Sequence, residues 1–334
     1  MTGSGQNQPQ EIAPFRIGPK FDVRVWGYED LHPWFDRVAE KDPIGEAWLT
    51  GDMCLVATGI YKGKRLDALF AEASAALLGA QAPSAESPLL IKVLFAKEKL
   101  SVQVHPDDKM AQKYGQPRGK TECWYALAAC PEAEVAVGLK PGVTLEQVKE
   151  GIQAGTLEAS LKMLPVATGD VIFVDAGTVH AIWPGAILLE TQQNCDLTYR
   201  MYDYGRGREL HIEKSLEATK LTTRAGKVEP TVMADRTILI DADYFRMERI
   251  AVDGSVTSDR LRGASEPAPG LAYLFAAAGA GRIAGPGFEA VDLPARGIVA
   301  VPASSPVFAV EDLGGPSASL DLIRIVPNWP EATK

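Results

Sequence analysis

The residues best suited to chemistry are Gln103 and His105, two apart in the strand-like stretch SVQVHP. Side chains alternate faces along a strand, so both point to the same side. If that side is a barrel interior, the pair forms a two-ligand clamp. Glu122 follows in GKTECWYAL, the next expected strand, and His180 lies in VIFVDAGTVHAI, just beyond a turn at Gly177. Imidazole, carboxylate and amide oxygen together suit zinc or another first-row divalent metal, with room left for water or a substrate. A lone strand histidine is more often structural than a ligand, and a lone glutamate more often a surface acid. With four histidines in the chain, however, candidates are few. His32, in EDLHPWF, sits among loop-like residues, and His211 reads as a helix start. Cys54, Cys123, Cys130 and Cys195 match no metal-ligand spacing.

The elements that must position these side chains are mostly short β segments broken by Gly and Pro, such as VIFVDAG, AILLETQ and GIVAVPA. Four helices are expected. One covers about 65–79 and ends near Gly79. A short one starts at Pro106, with Asp107 and Asp108 at the positive end of its dipole. A third starts at Thr144, where Gln147 completes a capping box. The last covers about 211–219. The chain shows no βαβ alternation and no G-x-G-x-x-G or phosphate-loop glycine pattern between a strand and a helix, which disfavours a doubly wound nucleotide-binding sheet. Many short strands favour an antiparallel barrel or jelly roll. Composition shifts near residue 225: all four histidines lie before it, and the strand-like sequence after it reads as a second barrel-like domain without a metal site.

The 334 residues suit two domains of ordinary size. A net charge of −9 with no basic stripe argues against a nucleic-acid partner, although a few basic residues in one pocket can still hold a small anion. No apolar run approaches the ~18–20 residues of a membrane span. The polar start MTGSGQNQPQ lacks a secretory layout and reads as a disordered tail. Four cysteines without C-x-x-C pairing imply reduced thiols and a cytoplasmic protein.

Eight segments, in order over about residues 22–219, resemble the type I phosphomannose isomerases, particularly their short bacterial form. They are VWGYEDL, IGEAWL, YKGKRLDAL, PLLIKVLFAKEKLSVQVHPDD, GKTECWYAL, GDVIFVDAGTVHAI, GAILLETQQNCDLTYRMYDYGR and ELHIEKSLEAT. The resemblance implies a mainly β fold of two cupin-type jelly-roll barrels with a small helical insertion. Residues 1–12 would be the tail, 13–225 the catalytic cupin domain with that insertion, and 226–334 a cupin-like domain without a metal. It further implies one Zn2+ per chain, held by Gln103, His105, Glu122 and His180. Lys92, Ser101, Lys120, Glu190, Arg200 and Arg206 match the family's pocket positions. Two departures stand out. The usual W-G-G is Trp26-Gly27-Tyr28, and a G-D before a late strand is Arg296-Gly297.

The activity implied is interconversion of mannose 6-phosphate and fructose 6-phosphate, which moves a proton between C1 and C2. The enediolate needs a fixed positive charge, and a base must carry the proton across one face. Arg200 is the expected oxyanion partner, with an ion pair to Asp196 or Asp203 as its structural alternative. Lys120, if its pKa is depressed, and Glu190 are the expected proton carriers. Glu190 has an alternative role anchoring Arg200. Arg206 and Lys92 are the expected phosphate holders and Ser101 a hydroxyl donor, all three substrate-binding, with an Arg206–Glu209 loop bridge as the alternative. The expected partner is a small sugar phosphate, with no nucleic acid or membrane, and the protein a monomer or homodimer. The rival readings are another cupin metalloenzyme and a non-catalytic sugar-binding cupin.

Overall fold

A computed structural model describes residues 11–80, 82–263, 266, 268–314 and 319–329. The chain divides into two compact units. One gathers the residues up to Pro19, Leu49–Pro88 and Thr231 onward; the other holds Lys20–Trp48 and Leu89–Pro230. This corrects the consecutive domains expected at 13–225 and 226–334. Strand Phe15–Gly18 pairs with Ile298–Val301 on one side and Leu55–Val56 on the other, so two early segments fold with the C-terminal sequence. Helix Leu66–Leu78, ending at Gly79 as expected, belongs with them. The expected tail is also shorter at its inner end. Residues 1–10 lie outside the described residues, but Ile12 is buried and its N–H donates to Ser304 Oγ at 3.2 Å.

The unit carrying the candidate ligands is built from two antiparallel sheets. The seven-stranded sheet runs, in spatial order, Gly226–Val228, Val171–Val174, Glu122–Ala129, Ala186–Gln193, Leu89–Phe95, Ile44–Trp48 and Lys20–Tyr28. The five-stranded sheet runs Tyr199–Tyr202, Val102–Val104, His180–Ile182, Glu134–Leu139 and Leu161–Pro165. Their inner faces share one core that includes Trp124, Leu188 and Ile172 from the first sheet and Val135, Val137 and Ile182 from the second. The fold is thus mainly β and cupin-like.

Alternation along the strands explains which residues face where. Val102, Val104, Ala136 and Ala181 point away from that core and pack under Val148, Ile152 and Ala218 of two covering helices, Leu145–Ala154 and Ile212–Ala218. The intervening positions, including Gln103, are left to face inward. The first covering helix starts as its sequence predicts, with Thr144 Oγ accepting from Gln147 N–H and the Gln147 side chain returning to the Thr144 N–H. Helix Asp108–Lys113 is likewise capped by Asp107, which accepts from Met110 N–H.

The other unit has an eight-stranded sheet and a four-stranded sheet. Between them lies a core that includes Ile250, Leu274, Ile283, Val299, Val310 and Leu322. Its short helix Ser258–Arg262, capped by Thr257, is not foreseen in the sequence reading.

Candidate active site

Strand register brings the expected ligands together. His180 sits opposite Gln103, Arg200 lies on Gln103's other side, and Gln192 is opposite Glu122. Two glycines allow the loops to close around them. Gly177, at φ +94°, donates its N–H to the His105 carbonyl while its own carbonyl accepts from Lys220 N–H. Gly119 packs so closely that a Cβ would lie 2.5 Å from the Pro106 carbonyl oxygen, which ties GKTE to the HPDD turn.

The cluster of His105, Glu122 and His180 is fully buried, and its ligand atoms lie within 4.8 Å of one another. His105 Nε2 is 3.7 Å from Glu122 Oε2, and His180 Nε2 is 3.4 Å from Glu122 Oε1. The Gln103 amide meets His180 Nε2 at 3.2 Å, and Ser101 Oγ donates to its other end at 3.4 Å. Both rings are oriented by carbonyls. His105 Nδ1 lies 2.9 Å from Leu197 O, and His180 Nδ1 lies 2.9 Å from Thr178 O. A carbonyl only accepts, so each ring keeps its proton on Nδ1 and turns a bare Nε2 into the cluster.

The donors fit a metal ion. His105 Nε2 and Glu122 Oε1 are buried with no hydrogen-bond partner among the described residues. Burial holds His105 well below its ordinary pKa and His180 down to about 4, so both rings are neutral donors. Burial, and then the nearby Glu190 charge, push Glu122 up to about 7 against the pull of Lys120 and Lys92. A bound cation relieves that cost.

Beside the cluster lies a chain of paired charges. Lys120 Nζ is 2.9 Å from Glu122 Oε2 and 3.7 Å from Glu190 Oε1. Lys92 Nζ is 3.1 Å from Glu190 and 3.6 Å from Glu46. Trp124 Nε1 donates to Glu190 Oε2 at 3.0 Å. Glu46 in turn accepts from Trp48 Nε1 at 2.7 Å and Arg24 at 3.0 Å. Burial by itself would lower Lys120, but Glu122 and Glu190 raise it overall, so the ammonium is stabilised and the depressed pKa on which its role as proton carrier was made conditional is not seen. Burial by itself would raise Glu190, yet Lys120 and Lys92 leave it lowered and ionised.

A cavity of about 510 Å³ opens over this floor and is lined by Ser101, Gln103, Lys92, Lys120, Glu190 and Arg200, among others. A larger one of about 690 Å³ in the other unit, lined by residues such as Phe15, Ile60 and Phe288, is mostly apolar and holds no comparable cluster. Six of the expected residues thus share the cavity wall, with His105, Glu122 and His180 beneath it. Arg206 is the exception: it lies outside the lining, stacks 5.2 Å from the Tyr204 ring and pairs with Asp203 at 2.9 Å. Arg200 Nη1 donates to the Glu209 carbonyl at 2.9 Å rather than to a carboxylate. His32 is exposed between Asp30 and Asp36, and His211 precedes its helix with Nδ1 accepting from Arg200 N–H at 3.2 Å.

Three charged cavity residues are not foreseen from the sequence: Arg24, Glu46 and Arg208. Glu46 had a signal, as an acid within the apolar strand IGEAW. Arg24 is flanked by exposed Val23 and Val25, and its strand gives no sign of an inward wall.

Buried imidazoles and a carboxylate converging beneath a polar cavity, inside a two-sheet antiparallel barrel, define a cupin-type protein with a cluster that could hold a metal ion. The sequence profile described as "Phosphomannose isomerase type I, catalytic domain" matches residues 12–145. Mannose-6-phosphate isomerase from Streptococcus mutans is 35% identical over 73% of this chain and 80% of its own length. The enzyme of that name from Bacillus subtilis is 36% identical over 73% and 81%. The crystal structure of mannose 6-phosphate isomerase from Bacillus subtilis superposes with a TM-score of 0.82 at 28% identity, covering 94% of this chain and 100% of that one. The chain belongs to the mannose-6-phosphate isomerase family, the type I phosphomannose isomerases, and is an isomerase.

Proposed function

We propose that the chain interconverts mannose 6-phosphate and fructose 6-phosphate and uses zinc held by Gln103, His105, Glu122 and His180. The observation that carries the reading is the pairing of an open donor cluster with an ionised Glu190 and a charged Lys120 on the floor of one cavity. When bound there, zinc supplies a fixed positive charge that polarises or positions sugar oxygens.

The chain's own residues divide the remaining work. Glu190, kept ionised by two lysines, is suited to take the proton from C2 of the open-chain aldose and return it to C1 of the ketose. Lys120 is a protonated donor beside it and can stabilise or protonate the oxygen that becomes negative. Arg200 holds a permanent charge toward the same cavity. Lys92 keeps Glu190 ionised, and Ser101 fixes the Gln103 amide.

A coupled assay for fructose 6-phosphate formed from mannose 6-phosphate tests the activity. The expected outcome is turnover that Glu190→Gln lowers by about 10²–10⁴-fold. If Lys120→Ala abolishes turnover while Glu190→Gln retains it, the assignment of base and donor is reversed. Cys54, Cys123, Cys130 and Cys195 form no disulfide, which suits the cytoplasmic location this reading implies, as monomer or homodimer.

A further inference from the structure

We propose that Arg208 holds the substrate phosphate, and that Asp203 fixes it beside Arg200 in a dianion-binding wall of the cavity, with Arg206 adding its charge from outside the lining. The inference rests on the sugar-phosphate reading above.

Arg200 and Arg208 line the cavity. Arg208 is fixed by a fork: its Nε donates to Asp203 Oδ2 at 2.8 Å and its Nη2 to Oδ1 at 2.5 Å. Arg206 Nη2 reaches the same Oδ1 at 2.9 Å. Asp203 is buried; burial alone would raise its pKa, but the Arg208 bonds and the charges of Arg208, Arg206 and Arg200 hold it below its ordinary value. One carboxylate thus faces three guanidiniums, which leaves an excess of about two positive charges. A phosphate monoester carries about −1.5 to −2 at neutral pH. The next acid, Glu209, turns its side chain to solvent, 83% exposed and 3.9 Å from His211.

The rest of the cavity carries no such excess. Lys92 faces Glu190, Glu46 and Asp196, Lys120 faces Glu122 and Glu190, and Arg24 faces Glu46 and Asp22. Arg200, by contrast, has no carboxylate at ion-pair distance among the described residues, and its buried Nε has no hydrogen-bond partner. A guanidinium already held in place loses little freedom on binding an anion, so the wall is preorganised.

The test compares wild type, Arg208→Gln and Arg208→Lys. It measures kcat and KM for mannose 6-phosphate, kcat/KM for unphosphorylated mannose, and binding of inorganic phosphate by calorimetry, with melting temperatures alongside. Arg208→Gln is expected to raise KM and the phosphate Kd by about 10- to 100-fold, with kcat changed less than KM. Its kcat/KM should fall far more for mannose 6-phosphate than for mannose. Arg208→Lys should recover part of the loss, because it keeps the charge without the fork, and it supplies the readout if the Gln variant does not fold. Unchanged phosphate binding in a folded variant, or equal losses on the two sugars, would overturn the proposal. Failure of the wild type to turn over mannose 6-phosphate would instead remove the functional reading, while the phosphate calorimetry would still decide the wall.

Discussion

The two barrels place charged groups inside antiparallel strands in opposite ways. In the Thr231-onward unit, Glu248 is buried among three guanidiniums: Arg236 and Arg246 at 2.8 Å and Arg324 at 3.2 Å. Arg324 also forks onto Glu266, and Arg236 donates to the Leu261 carbonyl. Positive and negative groups close on one another. In the other barrel, Glu122 Oε1 and His105 Nε2 are equally buried, yet point into a common space with no partner. Only Lys120, at Glu122 Oε2, brings the cluster a positive charge, and the neutral imidazoles beside Oε1 add none, so the cluster is charge-poor where Glu248 is surrounded, and a cation fits it. Strands of one fold can therefore carry either an internal ion network or a ligand site, depending on whether the charges on the inner face are complementary.

The largest effect should come from removing a cluster donor. Glu122→Gln is expected to lower bound metal and turnover by more than 100-fold, beyond the usual 10–100-fold loss for outer-shell partners; metal analysis with the coupled assay checks both. The same change in the other barrel should act on stability instead. Glu248→Gln leaves buried arginines without their carboxylate and should destabilise that unit by about 3–5 kcal/mol, read by denaturant unfolding, while the folded fraction keeps its kcat. Equal losses of kcat in the two variants would break the comparison.

A smaller effect concerns acid stability. Lys92, Arg24 and Trp48 hold Glu46 down to about 2 although burial opposes them. Because the folded pKa is depressed, its contribution is fully present above about pH 4.5 and is lost as pH falls toward 2. Glu46→Gln should flatten the slope of unfolding free energy against pH across that window; an unchanged slope would show that Glu46 is not a principal acid-sensitive group. Smallest is the helix cap. Thr144→Ala should cost about 1 kcal/mol in denaturant unfolding, with kcat unchanged, because the helix only backs the outer face of the ligand-bearing sheet.

The convergence of Gln103, His105, Glu122 and His180 was legible because a period of two fixes which strand residues share a face, and the HPDD, GKTE and GTVH turns show where the chain reverses. Helix starts at Asp107 and Thr144 were legible for the same local reason: capping needs only residues three apart. What depends on distant pairing was not. FRIG carries no mark that it pairs with Ile298–Val301, so the division of the chain into interleaved units was missed. The charge state of Lys120 depends on Glu122 and on Glu190 from another strand, so reading it alone left its pKa open. Arg206 and Arg208 look equivalent in GRGRE; only the turn of the chain at Asp203 and Tyr204 sends one toward the Tyr204 ring and the other to the cavity.

The most direct test of the open cluster is metal removal. Protein stripped with a chelator, and shown by elemental analysis to be empty, should lose mannose 6-phosphate turnover and regain it with one equivalent of zinc per chain. Full turnover by the emptied protein would contradict the account.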